Sequence, residues 1–266
     1  FMLTLLPLSF LAASALQAFS GGDFKLADRW IGDANSDRFG HAIANAGDMN
    51  GDGIDDLLVG APFFDTPPNY DAGRVYLLSG ADRSELRGWN GNHLWASLGD
   101  QVANAGDVNG DGIADVIATA AGFGSTAPRY VEVWSGADGS VLHHFPDPQL
   151  GGLFGNSIDG AGDVNGDGFG DLIIGALKTE RNGLSDAGSV YVYSGLDGTL
   201  LYQYDGAEIY AHVGVCVAGV KDVNQDGADD FAFSTLTDSL GSNIMSVRIH
   251  SGSDGSLLYK IDAPQS

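Results

Sequence analysis

Ala46-Gly47-Asp48-Met49-Asn50-Gly51-Asp52-Gly53-Ile54-Asp55-Asp56 is the stretch on which the fold turns. It returns as Ala105-Gly106-Asp107-Val108-Asn109-Gly110-Asp111-Gly112-Ile113-Ala114-Asp115, and again from Ala161 to Asp171. A looser fourth copy runs from Lys221 to Asp230. The leading aspartates Asp48, Asp107, Asp163 and Asp222 stand 59, 56 and 59 residues apart. A fixed period of this length signals a repeat architecture, one supersecondary unit per repeat. Each unit carries a second landmark, Ser79-Gly80, Ser135-Gly136, Ser194-Gly195 or Ser251-Gly252, closing a β-rich run such as Val190-Tyr191-Val192-Tyr193. Asp-Gly follows in three of the four, at Asp138-Gly139, Asp197-Gly198 and Asp254-Gly255, and then another short apolar run. Branched and aromatic runs separated by Asp-Gly are hairpin signals.

Four strands per unit follow, in the first near His41–Ala46, Asp56–Gly60, Arg74–Ser79 and Glu85–Trp89. Four strands without a helical period between them describe a propeller blade. The expected fold is therefore all-β, a β-propeller of four-stranded antiparallel blades. The blades divide as 37–96, 97–152, 153–211 and 212–266. Residues 19–36 form a leading strand segment. Residues 1–18 hold no charge, carry a short apolar run and end in small residues, the pattern of a secretory signal peptide. Leu257-Leu258-Tyr259-Lys260-Ile261-Asp262 matches Leu200-Leu201-Tyr202-Gln203-Tyr204-Asp205, after which unit three runs into the next repeat. Phe24-Lys25-Leu26 resembles the same last strand. An incomplete propeller is the expectation, with a closed four-blade ring and self-association as alternatives.

The repeated loop has the form Asp-x-Asn-x-Asp-Gly-x-x-Asp. Hard cations such as Ca²⁺ take six to eight oxygens from carboxylates, amides and backbone carbonyls. Positions 1, 3 and 5 of a tight loop can face one ion, Gly at position 6 reverses the chain, position 7 offers its carbonyl and position 9 another carboxylate. The candidate ligands are Asp48, Asn50, Asp52, Ile54 and Asp56 in the first loop, and Asp107, Asn109, Asp111, Ile113 and Asp115 in the second. The third offers Asp163, Asn165, Asp167, Phe169 and Asp171, and the fourth Asp222, Asn224, Asp226, Ala228 and Asp230. Acidic turns alone would also use Asp, Asn and Gly, but four loops with one ligand order favour up to four Ca²⁺. These would bring the net charge from −23 to −15. An EF-hand requires Glu at position 12, where this chain has Val59, Ala118, Ile174 and Phe233. The loops join strands, not helices.

Composition narrows the function. Twelve Lys+Arg against 35 Asp+Glu give a chain that phosphate backbones and anionic lipid repel, so neither nucleic acid nor a membrane surface is an expected partner. No run of 18 apolar residues follows the leader, so no membrane insertion is expected. The single cysteine excludes an internal disulfide framework, and its setting, Val215-Cys216-Val217, reads as a small buried hydrophobe. The six histidines are scattered and read as surface or edge residues, with His143 and His144 on opposite faces of one strand. No nucleophile elbow, zinc-protease or phosphate-loop motif is present, and fourfold repetition sets the Asp clusters apart from a catalytic pair. Tyr191, Tyr193, Tyr202 and Tyr204 read as packing between blades, with a sugar or protein platform as the alternative.

Phe39-Gly40 before the first loop and Gly60-Ala61-Pro62 after it complete a named pattern. The chain resembles the FG-GAP repeats of the integrin α-subunit N-terminal β-propeller and their bacterial relatives. Unit three keeps Phe154-Gly155 and Gly175-Ala176. Units two and four depart, with Leu98-Gly99 and Val213-Gly214 for Phe-Gly, and Thr119-Ala120 and Ser234-Thr235 near the Gly-Ala-Pro place. The resemblance implies a seven-bladed propeller, calcium in the hairpin loops of some blades, and partners on the face away from the calcium. It points to a secreted or cell-surface, non-enzymatic module that binds an extracellular protein or glycan in adhesion. The remaining blades or further domains would belong to the same full-length chain. The alternative is the non-catalytic propeller portion of a larger secreted hydrolase.

Overall fold

A computed structural model describes residues 36–122, 127–238 and 243–263. The leader and the leading strand segment, apart from Ser36, lie outside the described residues. Four antiparallel sheets follow one another along the chain, each a four-stranded meander. Blade 1 comprises β1 (Ile43–Gly47), β2 (Asp56–Ala61), β3 (Arg74–Leu78) and β4 (Glu85–Asn90). Blade 2 comprises β5 (Leu98–Gly106), β6 (Asp115–Ala120), β7 (Tyr130–Trp134) and β8 (Val141–Pro146). Blade 3 comprises β9 (Phe154–Gly162), β10 (Asp171–Ala176), β11 (Ser189–Tyr193) and β12 (Leu200–Asp205). Blade 4 comprises β13 (Val217–Val220), β14 (Asp230–Asp238), β15 (Asn243–His250) and β16 (Leu257–Asp262). In the first unit the strands fall within two residues of the positions read from the sequence.

The core lies between blades. Leu58, Val75 and Leu77 of blade 1 meet Leu98, Val116 and Trp134 of blade 2. Ile117, Val131 and Val133 meet Phe154, Leu172, Ile174 and Tyr191 across the second junction. Ile173, Val190 and Val192 meet Val217, Phe231 and Phe233 across the third. Alternation along each strand produces this arrangement, because odd and even residues face opposite neighbours. The buried strands β6 and β10 therefore carry apolar residues on both faces, as Asp115–Ala120 and Asp171–Ala176 show.

The innermost contacts explain the Phe-Gly and Gly-Ala spacing. A Cβ on Gly60 would lie 2.0 Å from the carbonyl oxygen of Gly99 in the next blade, and one on Gly175 would lie 2.3 Å from that of Gly214. Only glycine permits backbone to pack on backbone there. Blade 2 has Thr119 at this place, and its hydroxyl donates to Gly155 O at 2.8 Å, replacing contact with a hydrogen bond. The other half of the motif varies in size alone. Leu98, Phe154 and Val213 are all buried, at 0%, 0% and 3% exposure.

Outer strands tie each blade to the next. Arg87 donates to the carbonyls of Ala137 and Asp138, and Trp89 Nε1 to Gly139 O. His143 Nε2 meets Gly195 O, and the hydroxyls of Tyr202 and Tyr204 donate to Gly252 O and Gly255 O at 2.7 Å. His144 turns the other way, towards Glu132 and Tyr130, so the two histidines do occupy opposite faces. Tyr191 and Tyr193 pack in the second junction, Tyr202 and Tyr204 in the third. The tyrosine group is packing between blades.

Two expectations fail. Cys216 is exposed. It stands at the position of Ser157, whose hydroxyl meets Val217 of the following blade, and no sheet of the described residues covers that face of blade 4. Val247 shows the same effect: it is 41% exposed, whereas its counterparts Val75, Val131 and Val190 are each at 0%. His250, by contrast, is buried, stacked on Phe231 and Phe233. It faces blade 3 and is no surface residue. Phe154→Ala should cost about 3–5 kcal/mol, as removal of a fully buried ring does. Leu150→Ala, at an exposed position, should stay within about 0.5 kcal/mol. Urea unfolding of the two variants checks the contrast.

Candidate functional site: the acidic loops

In an up-and-down blade the β1–β2 and β3–β4 connections share one end of the sheet. The repeated loops therefore line up on one face, beside the Ser-Gly turns. They also touch one another: Gly170 N–H donates to Asp107 O at 2.7 Å, and Asp229 N–H to Asp163 O at 2.9 Å.

Each loop is wound around its first aspartate. Asp48 Oδ2 accepts from Gly53 N–H at 2.8 Å, Asp107 from Gly112 at 2.9 Å, Asp163 from Gly168 at 2.9 Å and Asp222 from Gly227 at 2.9 Å. The other oxygen accepts from the position-5 N–H in all four, at 3.0–3.1 Å. Position 3 then accepts from position 5, as Asp52 N–H to Asn50 Oδ1 shows, and position 5 from position 7, as Ile54 N–H to Asp52 Oδ1 shows. The winding needs left-handed backbone at positions 4 and 6. Position 6 is Gly53, Gly112, Gly168 or Gly227. Position 4 is glycine three times and Gln225 in the fourth loop, at φ 61°, a conformation that costs a side chain about 1 kcal/mol.

Position 9 does different work. Asp56, Asp115, Asp171 and Asp230 are at most 2% exposed. One oxygen of each accepts the position-2 N–H of its own loop, from Met49, Val108, Val164 and Val223 at 2.8–3.0 Å. The other accepts the glycine N–H of the Ser-Gly turn, from Gly80, Gly136, Gly195 and Gly252 at 2.9–3.1 Å. The sequence displayed both landmarks of every unit; the carboxylate that joins them was read only as a candidate ligand.

The structure places positions 1, 3, 5 and 9 of each loop within one short turn. The first three are on its open side, at most half-buried, and the ninth is beneath. Among the described residues no three Asp, Glu, His or Cys side chains converge as a ready metal cluster. The carboxylates instead accept N–H groups. The fourth loop is further fastened by Ser251 and Ser253, whose hydroxyls donate to Asp226 Oδ2. The Ser253 bond, then that of Asn224, holds the Asp226 carboxyl down at about 2. Burial pushes Asp115 and Asp171 the other way, from 3.8 up to about 6, against the pull of their two N–H bonds.

Residues 39–78, 98–141 and 154–193 match the FG-GAP repeat. This chain is an FG-GAP repeat protein. The fourth unit lies outside the matched residues yet forms the same four-stranded sheet with the same loop bonds. The chain is 30% identical to integrin alpha-PS2 of Drosophila melanogaster over 181 residues, covering 59% of this chain and 12% of that protein. It is 36% identical to human integrin alpha-IIb over 169 residues, covering 58% and 16%. The chain thus spans less than a fifth of the length of these relatives. Among solved structures, rhamnogalacturonan lyase YesW aligns at a TM-score of 0.46 and 17% identity, over 82% of this chain and 50% of that one.

Asp171→Ala leaves two buried N–H groups, of Val164 and Gly195, without acceptors, and should cost about 2–4 kcal/mol in urea unfolding even in chelator. A parent-like midpoint would show that the carboxylate is no structural link. The raised carboxyls set the sign of a pH effect in the same metal-free protein. Between about pH 4 and 6 the fold holds protons that the unfolded chain has released, so these two groups lower stability as pH rises through that window. Unfolding midpoints taken across the window should fall with pH, and less steeply in Asp171→Ala.

Proposed function

We propose that the chain is a secreted or cell-surface, calcium-stabilised propeller module that binds a protein or glycan ligand in adhesion and performs no catalysis itself. The fourfold loop, with one ligand order and one hydrogen-bond pattern on a single face, is the observation that carries this reading. The donors suit a hard cation in kind: three carboxylates, an amide oxygen and a backbone carbonyl per loop. Asp48 Oδ1 and Asp107 Oδ1 each accept two N–H groups, but Oδ2 of every position-1 aspartate accepts one and keeps a second lone pair for the ion. Asp48, Asn50, Asp52, Ile54 O and Asp56 would hold the ion in the first loop. The corresponding residues from Asp107, Asp163 and Asp222 onward would hold it in the others. An ion among them would offset repulsion between carboxylates that share a loop.

The similarity to integrin α subunits supports the adhesion part. So does the opposite face, where the β2–β3 and interblade connections leave Tyr70, Trp95 and Tyr210 at 64%, 43% and 53% exposure. Aromatic side chains with one wet edge suit protein and sugar recognition.

Extracellular calcium modules have Kd values of about 10⁻⁴–10⁻³ M. At free calcium about ten times Kd, linkage contributes roughly 1.4 kcal/mol per site, and roughly 6 kcal/mol over four. Thermal melts in calcium and in chelator should therefore differ by many degrees; coincident melts would sink the calcium reading. Asp163→Ala should bind one ion fewer by calorimetry. Asn156→Ala should keep the parent stoichiometry, because Asn156 spans blades 3 and 4 through Gly214 O and Val215 O and lies outside the loop.

A further inference from the structure

We infer that Asn165–Gly166 is a site of non-enzymatic modification, where the asparagine deamidates through a succinimide faster than at the other acidic loops. The inference concerns the metal-free chain and does not rest on calcium binding. In the step, hydroxide removes the Gly166 N–H proton and the nitrogen attacks Cγ of Asn165. An N–Cγ bond forms, the Cγ–Nδ2 bond breaks, and Nδ2 leaves as ammonia with a proton from water. Water then opens the ring at either carbonyl, leaving aspartate or isoaspartate.

Three features favour this position. Both residues are exposed, and nothing lies within 4 Å of where a Cβ on Gly166 would sit. Asp167 N–H donates to Asn165 Oδ1 at 2.9 Å, onto the oxygen where charge collects during attack, a bond that Asn50 and Asn109 share, while Asn165 Nδ2 donates to Asp167 Oδ2 at 2.8 Å. The Gly166 nitrogen makes no hydrogen bond among the described residues, whereas Gly51 and Gly110 N–H are held by Asp48 and Asp107 at 2.8 and 2.7 Å.

The other Asn-Gly pairs are restrained in separate ways. Gly110 also lies under the Phe169 ring, where a Cβ would be 2.7 Å from Cε1. Gly91 N–H is bonded to Gly73 O, and Asn90 Oδ1 accepts from Arg74. Asn182–Gly183 is closed in a hairpin turn bonded both ways between Arg181 and Leu184. In the fourth loop Asn224 has the same Oδ1 bond but is followed by Gln225, which carries a side chain beside the attacking nitrogen where glycine carries none.

The test is incubation of the whole chain in chelator at mildly alkaline pH, followed by peptide mass analysis and isoaspartate methylation. Asn165 should convert first, Asn50 and Asn109 more slowly, and Asn224 slowest of the four. Gly166→Gln should bring Asn165 down to the Asn224 rate, and Gln225→Gly should raise Asn224. Equal rates at all four loops, or an unmodified Asn165 beside converted Asn50 and Asn109, would overturn the inference.

Discussion

One buried carboxylate per blade holds the repeat together. Asp56, Asp115, Asp171 and Asp230 each take one N–H from the acidic loop and one from the Ser-Gly turn. These N–H groups are separated by about half a repeat in sequence and lie at the same end of the sheet. A buried, ionised acceptor with both oxygens bonded is favourable where the same acid left unpaired would be costly. The constraint fixes the β1–β2 hairpin against the β3–β4 hairpin and so sets the shape of the blade end on which the loops sit. The raised carboxyls of Asp115 and Asp171 show that burial still weighs against the charge.

Blade-to-blade packing adds a second level that depends on order along the chain. Each junction uses the same positions: a glycine or Thr119 against the Phe-Gly glycine, a position-2 residue against the next Ser-Gly turn, and outer-strand polar groups reaching the following turn. Met49, Val108 and Val164 each lie close to the glycine of the next turn, near Gly136, Gly195 and Gly252. Stability in such a stack is close to a sum of blade and nearest-neighbour terms. A substitution in one junction should therefore be felt mainly by the two blades that meet there.

Much of this was legible in the residues. The period, the Ser-Gly landmark and the alternating runs set four strands per unit and located those of the first, because each signal depends on local backbone geometry. What escaped was set by neighbours. Cys216 reads as apolar and interior from its own sequence, yet its exposure depends on whether another sheet covers that face. His250 reads as polar, yet Phe231, Phe233 and Tyr204 enclose it. Left-handed turns were legible only where glycine marked them. Arg83 occupies at φ 70° the place that Gly139, Gly198 and Gly255 hold in the other turns, and Gln225 does the same in the fourth loop. Tertiary context overrides the local preference in both.

The loops combine two tasks that the chain assigns to different carboxylates. Position 9 is buried and committed to the fold through two backbone donors. The side chains at positions 1, 3 and 5 lie on the open side and bond only within their own turn, apart from that of Asp226 and its serines. The fourth unit shows the consequence. It has lost the glycine at position 4 and replaced Phe-Gly with Val-Gly, yet Asp230 keeps both bonds at 2.8 and 3.0 Å. Drift at the open positions changes what a loop can hold, whereas a change at position 9 uncouples loop from turn. The acidic face can thus diverge in chemistry while the blades beneath it remain the same.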